Sequence, residues 1–202
     1  MKIYEMKIAP NPRRVRIFLA EKGIDVEFIE LDLQKGENLT AEFRQKNPMA
    51  KVPVLELDDG TCISETVAIC RYFEEVHPET PLMGTTAIEK AQVEMWQRWL
   101  EFYFLLPTGM SFQHNTGYFK DRMTPIKEWG AECRRNAGRF FEKLDRHLDG
   151  KTFIAGDRFS IADITALCTI DFNKVNDLRI QPDQANLLSW HQRVSSRPSA
   201  KA

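Results

Sequence analysis

No run in the 202-residue sequence approaches the ~18 consecutive apolar residues that a bilayer span requires, which excludes a membrane-spanning helix. MKIYEMK, at the beginning, lacks the apolar stretch of a secretory signal, so a cytoplasmic location is expected. An excess of one charge is missing as well. With 28 basic and 29 acidic side chains the formal net charge is -1, which gives no electrostatic reason to expect a nucleic acid or an anionic membrane as partner. The four cysteines, Cys62, Cys70, Cys133 and Cys168, form no C-x-x-C and no metal-ligand spacing with histidine. No metal is expected, and the thiols read as free and buried.

What is present divides in two. Residues 1–84 hold 11 basic and 15 acidic side chains, and the remainder holds 17 and 14. Strand signals are confined to the first part. Lys2 to Met6 and Val26 to Leu31 read as strands, and VPVLEL with TCIS reads as a hairpin around Asp59-Gly60. Between them lie a helix from Pro12 to Lys22 ended by Gly23, a short helix from Ala41 to Gln45, and a helix from Thr66 to Glu75. The order is β-α-β, then α, then β-β-α, and the first crossover implies a parallel pair. HPETPLMGTTA, His77 to Ala87, has two prolines, a glycine and three threonines, the composition of a linker; residues 79–87 are read as the linker between domains at 1–78 and 88–202.

The second region reads as helices only. Glu89 to about Thr116 is one helix bent at Pro107. Ile126, Trp129, Cys133, Ala137, Phe140, Phe141, Leu144 and Leu148 mark the core face of another. Ser160 and Asp163 form an acidic capping box, with Phe159 and Ile164 as its hydrophobic staple; this is a folding signal.

Three features of the first region suit a small anionic peptide. IAPNPRRVRIFLAEKG puts Arg13, Arg14 and Arg16 at a helix start, where acidic residues are favoured. Asn11 fits its N-cap and Pro12 its first position, so an anion near Pro10 and Asn11 is one reading; surface pairs with Glu5, Glu21 or Glu30 are the other. In KVPVLEL, a cis Val52-Pro53 bond would leave the main chain of Val52 free to pair with an extended peptide, whereas a trans proline would only open a strand. Glu65 and Thr66 offer an ammonium receptor and a carboxylate receptor side by side, or simply a helix cap.

APNPRRVRIFLAEKG, NPMAKVPVLELDDG, SETVAICRYFEE and FIAGDRFSIADIT together, in this order across nearly the whole chain, resemble the glutathione S-transferase family. The resemblance implies a thioredoxin-like N-terminal domain, an all-helical C-terminal domain and a homodimer. It implies glutathione as co-substrate and a small hydrophobic electrophile as second substrate. Val52, beside a cis Pro53, would bind the cysteinyl amide, Glu65 and Thr66 the γ-glutamyl end, and Lys51 with Asn38 or Lys35 the glycine carboxylate. A non-catalytic interaction module of the same fold is the alternative.

The family ordinarily places a Tyr, Ser or Cys after the first strand to activate the thiol. Here that turn is Ala9-Pro10-Asn11-Pro12, and Tyr4 lies within the strand. The turn resembles that of a subgroup, including a fungal form, whose activating water is held by Ser and His of the fourth helix. Those positions read as Gly109 and Gln113, with Ser111 and His114 as possible substitutes. Asn11 and His114 are therefore the catalytic candidates. His147, at a helix end, has a charge that suits the helix dipole. The absence of a Cys or Ser at the turn argues against isomerase and thiol-transferase chemistry. The electrophile pocket is expected among Trp96, Trp99, Phe102, Tyr103, Phe104, Met110, Phe112, Tyr118, Phe119 and Met123.

Overall fold

The computed structural model describes residues 1–202 and divides them into two compact units, Met1–Pro81 with Lys201–Ala202, and Leu82–Ala200. In the first, strands β1 (Lys2–Glu5), β2 (Glu27–Glu30), β3 (Val54–Glu56) and β4 (Cys62–Ser64) form one sheet in the order β2-β1-β3-β4. β1 and β2 are parallel, and the other pairs are antiparallel. The parallel pair needs a crossover, which helix α1 (Pro10–Lys22) supplies. Helices α2 (Ala41–Lys46) and α3 (Thr66–Val76) complete a thioredoxin-like unit.

Strand alternation explains both faces of this sheet. Ile3 and Glu5 of β1 are buried, while Tyr4 lies edge-on to Phe43 of α2, with ring centres 5.9 Å apart. The Tyr4 hydroxyl donates to Glu56 Oε2 at 2.8 Å, and Lys46 Nζ reaches the same oxygen at 2.7 Å. Tyr4 is thus a structural residue. The Lys46 hydrogen bond, followed by that of Tyr4, lowers the Glu56 carboxyl to about 2. A depressed acid stabilises the fold above its unfolded pKa and loses that contribution as pH falls through its folded value. Glu56→Gln is therefore expected to cost about 1 kcal/mol at neutral pH, solvent screening included. In urea titrations the gap from wild type should close as the pH approaches 2.

The inward turn of Glu5 accounts for one of the three arginines. Its carboxylate lies against α1, where the buried Arg16 pairs with it and also donates to Lys7 O at 2.7 Å. Burial raises the Glu5 carboxyl, and the guanidinium draws it back down. Arg16 thus answers an anion of the chain itself, and it is a core pair instead of a surface one. The cap of α1 also differs from the sequence reading. The helix starts at Pro10 with Ala9 as N-cap, so Asn11 and Pro12 already lie inside the first turn. The ring of Pro10 presets a helical φ, and Ala9 N–H closes the preceding turn on Met6 O at 2.9 Å. At the other end Gly23, with φ of 68°, forms the left-handed cap. Lys22 is sealed against Glu74 at 2.7 Å and donates to the carbonyls of His77 and Thr80.

The second unit contains α4 (Ala87–Leu100), α5 (Leu106–Thr116), α6 (Lys127–His147), α7 (Ile161–Phe172) and α8 (Ala185–Ser195). The helix expected to bend at Pro107 does so through a π-helical turn, Glu101–Leu105, in which Leu106 N–H reaches back to Glu101 O. The wider turn makes room for the proline ring, which would otherwise meet the carbonyl four residues earlier. α7 is buried from Ile161 to Ile170. Asp163 accepts hydrogen bonds from Ile154 N–H, Ser160 N–H, the Ser160 hydroxyl and Trp190 Nε1–H at 2.9–3.2 Å. Burial pushes its carboxyl up to about 6 against the pull of these donors.

Several readings of the second half are corrected. Ile126 and Trp129 are exposed, because the start of α6 turns Gly130 toward α5; a Cβ there would come within 3.0 Å of His114 Cβ. Burial lowers the pKa of His147, which donates from Nε2 to Ile154 O at 2.8 Å and packs its ring on Trp96, so its neutral form is favoured in place of a dipole charge. In the first unit, Cys62 is only half-buried, since β4 is an edge strand, whereas Cys70, Cys133 and Cys168 are buried.

Candidate glutathione site

Sheet topology brings the candidate residues of the first unit together. β1 and β3 are antiparallel with Tyr4 opposite Val54, and β3 and β4 are antiparallel with Val54 opposite Ser64. The exit of β1, the entrance of β3 and the exit of β4 therefore lie at one end of the sheet. From these three points follow the turn to Asn11, the Val52-Pro53 pair, and Glu65 with Thr66.

At the β3 entrance the Val52-Pro53 bond is cis, and neither the N–H nor the C=O of Val52 has a hydrogen-bond partner in the chain. Two buried asparagines hold the segment before it. Asn38 Nδ2 donates to Ala50 O at 2.7 Å, and Asn47 Nδ2 donates to Lys51 O at 2.9 Å. Asn47 Oδ1 also accepts Met49 N–H at 3.0 Å, and Ala50 takes a left-handed φ of 52°. An Asn two residues before the N–H it binds is an Asx turn, which is the signal that was there to be found.

This geometry sorts the three residues expected near the glycine carboxylate. Asn38 is buried with its amide nitrogen spent on the loop, and Lys35 is paired with Asp32 at 3.2 Å. Lys51 is exposed and has no ion-pair partner. A buried amide shapes a main chain; an exposed ammonium can meet an anion.

At the β4 exit, Glu65 adopts φ of 72°, a conformation that is strained for any residue but glycine, and it stands as the N-cap of α3 without a side-chain cap bond. Its exposed carboxylate and the Thr66 hydroxyl make no hydrogen bond in the chain, and the first N–H groups of α3 are open. A plain cap would have used the side chain, so capping does not account for these two residues.

At the β1 exit the start of α1 is nearly stripped of donors. Pro10 and Pro12 have no N–H, and Arg13 N–H bonds Ala9 O at 3.3 Å. The Asn11 N–H is the one main-chain donor left open. The Asn11 side chain accepts Arg14 Nη1 at 3.0 Å through Oδ1, and its Nδ2 has no partner in the chain.

In the helical unit, His114 is buried in α5, where its Nδ1 accepts Ile126 N–H at 2.9 Å; the ring proton then sits on Nε2. Ser111 is buried, with its hydroxyl accepting Asn115 Nδ2 at 3.1 Å. Of the ten side chains named for an apolar pocket, Trp96, Trp99 and Tyr103 line a cavity of about 290 Å³ together with Phe140, Lys143 and Leu144. Phe104 is instead stacked on Phe140 in the core.

A thioredoxin-like unit followed by an all-helical one defines the class of fold. Comparison with known proteins then identifies the family. Residues 8–76 match the glutathione S-transferase N-terminal domain family and residues 110–198 the C-terminal domain family. Glutathione S-transferase 2 of Saccharomyces cerevisiae is 37% identical over 100% of this chain and 88% of its own length. The crystal structure of a glutathione S-transferase domain-containing protein of Marinobacter aquaeolei VT8 superposes with a TM-score of 0.94 at 40% identity, covering 98% of this chain and 99% of that one. That of Gtt2 from Saccharomyces cerevisiae also gives 0.94, at 38% identity, covering 100% of this chain and 99% of that one. The chain belongs to the glutathione S-transferase family.

Proposed function

We propose that this protein is a glutathione transferase that binds glutathione at the end of the β1-β3-β4 sheet and directs its thiolate at a hydrophobic electrophile. The supporting observation is the set of unpartnered polar groups at that end: the Val52 main chain, the Glu65 carboxylate, the Thr66 hydroxyl, the Lys51 ammonium, and the N–H and Nδ2 of Asn11. A tripeptide thiol presents complementary groups. Its cysteinyl amide pairs with Val52 beside Pro53, its α-amino acid end lies against Glu65 and Thr66, and its glycine carboxylate meets Lys51.

Activation falls on Asn11. A free thiol near pKa 8.5 is a few per cent ionised at neutral pH, and lowering it by about two units needs ~2.7 kcal/mol. Asn11 supplies the open main-chain N–H of α1 and an amide Nδ2, two donors to a sulfur anion, on top of the helix field. His114 has one ring nitrogen left for a supporting role. The protein works in the cytoplasm as a homodimer, with no metal.

The test is titration with glutathione, followed by calorimetry and by thiolate absorbance at about 240 nm, together with conjugation of an aryl halide. Millimolar or tighter binding with thiolate formed at pH 7 is expected. Binding without thiolate removes the catalytic claim, and no binding at all leaves the non-catalytic interaction module.

A further inference from the structure

We propose that Arg14 is a positioning residue that fixes the Asn11 amide with its N–H bonds toward the glutathione sulfur. The inference rests on Asn11 meeting that sulfur, and it explains what keeps Asn11 suited to the task. An asparagine amide has two faces of opposite character. Its nitrogen would stabilise a thiolate, whereas its oxygen would repel one, and the two differ only by a rotation about the last side-chain bond.

The Arg14 guanidinium removes that ambiguity. It can only donate, so the amide atom it holds at 3.0 Å must be Oδ1. Nδ2, with no partner in the chain, is left as the outward face. Arg14 can impose this because it is itself fixed: it is 2% exposed and lies three residues after Asn11 on the same side of α1. The arrangement matters more here than at an ordinary helix start. Pro10 and Pro12 leave a single open main-chain N–H, so the side-chain amide is half of the local donor set. The second arginine of the opening run therefore acts on the ligand through a neighbour, just as Arg16 serves Glu5.

A thermodynamic cycle on the pKa of the bound thiol, read from thiolate absorbance against pH, separates this role from a direct effect of the arginine charge. Asn11→Ala and Arg14→Met, which removes both the charge and the donor, should each raise that pKa by about one unit, a tenfold loss of thiolate at a pH below both values. In the Asn11→Ala background, Arg14→Met should add nothing, because its route to the sulfur is gone. Equal, additive shifts in both backgrounds would mean that Arg14 acts by its own field and would overturn the proposal. If Asn11→Ala itself leaves the thiol pKa unchanged, the reading of Asn11 fails first and takes this inference with it.

Arg14 is buried, and its variants can misfold. The wild-type protein therefore supplies the second measurement. In a selectively 15N-asparagine-labelled sample, the Asn11 Nδ2 resonances should show the heteronuclear NOE of a rigid group before ligand is added, and should shift on adding glutathione. A mobile Asn11 amide in the free protein would sink the proposal without any substitution at Arg14.

Discussion

Asp163→Ala should destabilise the helical unit by about 3–5 kcal/mol, the largest stability loss expected of any single substitution here. The carboxylate is fully buried and joins four donors from three parts of the chain: Ile154, Ser160 twice, and Trp190 of α8. Alanine leaves two main-chain N–H groups and the Trp190 indole N–H buried without acceptors, each costing about 1–3 kcal/mol. The start of α7 loses its capping box at the same time. Asp163→Asn would not repair this, since the amide NH₂ would face donors. Thermal unfolding followed by tryptophan fluorescence should shift down by roughly 10 °C, taking ~2–4 °C per kcal/mol for a chain of this size. A loss under about 1 kcal/mol would mean that the four-bond network contributes little.

The second large effect belongs to binding. Glu65→Ala should weaken glutathione roughly 30- to 150-fold, the loss of one charge-assisted hydrogen bond of about 2–3 kcal/mol. Stability should move by less than about 0.5 kcal/mol, because the carboxylate is exposed and bonds nothing in the chain. The contrast is the point of the experiment. If Glu65 were a helix cap, the same substitution would lower the melting temperature and leave binding alone. Calorimetry with glutathione, beside thermal unfolding of the same sample, reads both quantities.

Much of this molecule is legible in the order of its residues. Hydrophobic alternation and turn chemistry place all four strands to within a residue or two, and Gly23, Pro107 and the Ser160–Asp163 box mark a cap, a bend and a helix start where they are found. These are local devices, decided by a residue and its near neighbours. Residue identity also supplied the list of candidate ligand groups, since Glu65, Thr66, Val52 and Asn11 stand at element ends.

What the sequence left open depends on partners distant along the chain. Whether Arg16 faces a guest or the core turns on Glu5, eleven residues earlier on a strand whose alternation points it at α1. Whether Asn38 or Lys51 can meet a carboxylate turns on which of them is buried, and Asn38 is held by Ala50 O, twelve residues away. Ile126 and Trp129 fit a core stripe by period alone, yet Gly130 is the residue that lets α5 approach. Sequence by itself determined the elements, their ends and the chemical types present, because those follow from short-range geometry. Only the tertiary structure decided which charges are spent internally and which stay unpaired at the surface, because burial and hydrogen-bond partnership are properties of packed elements.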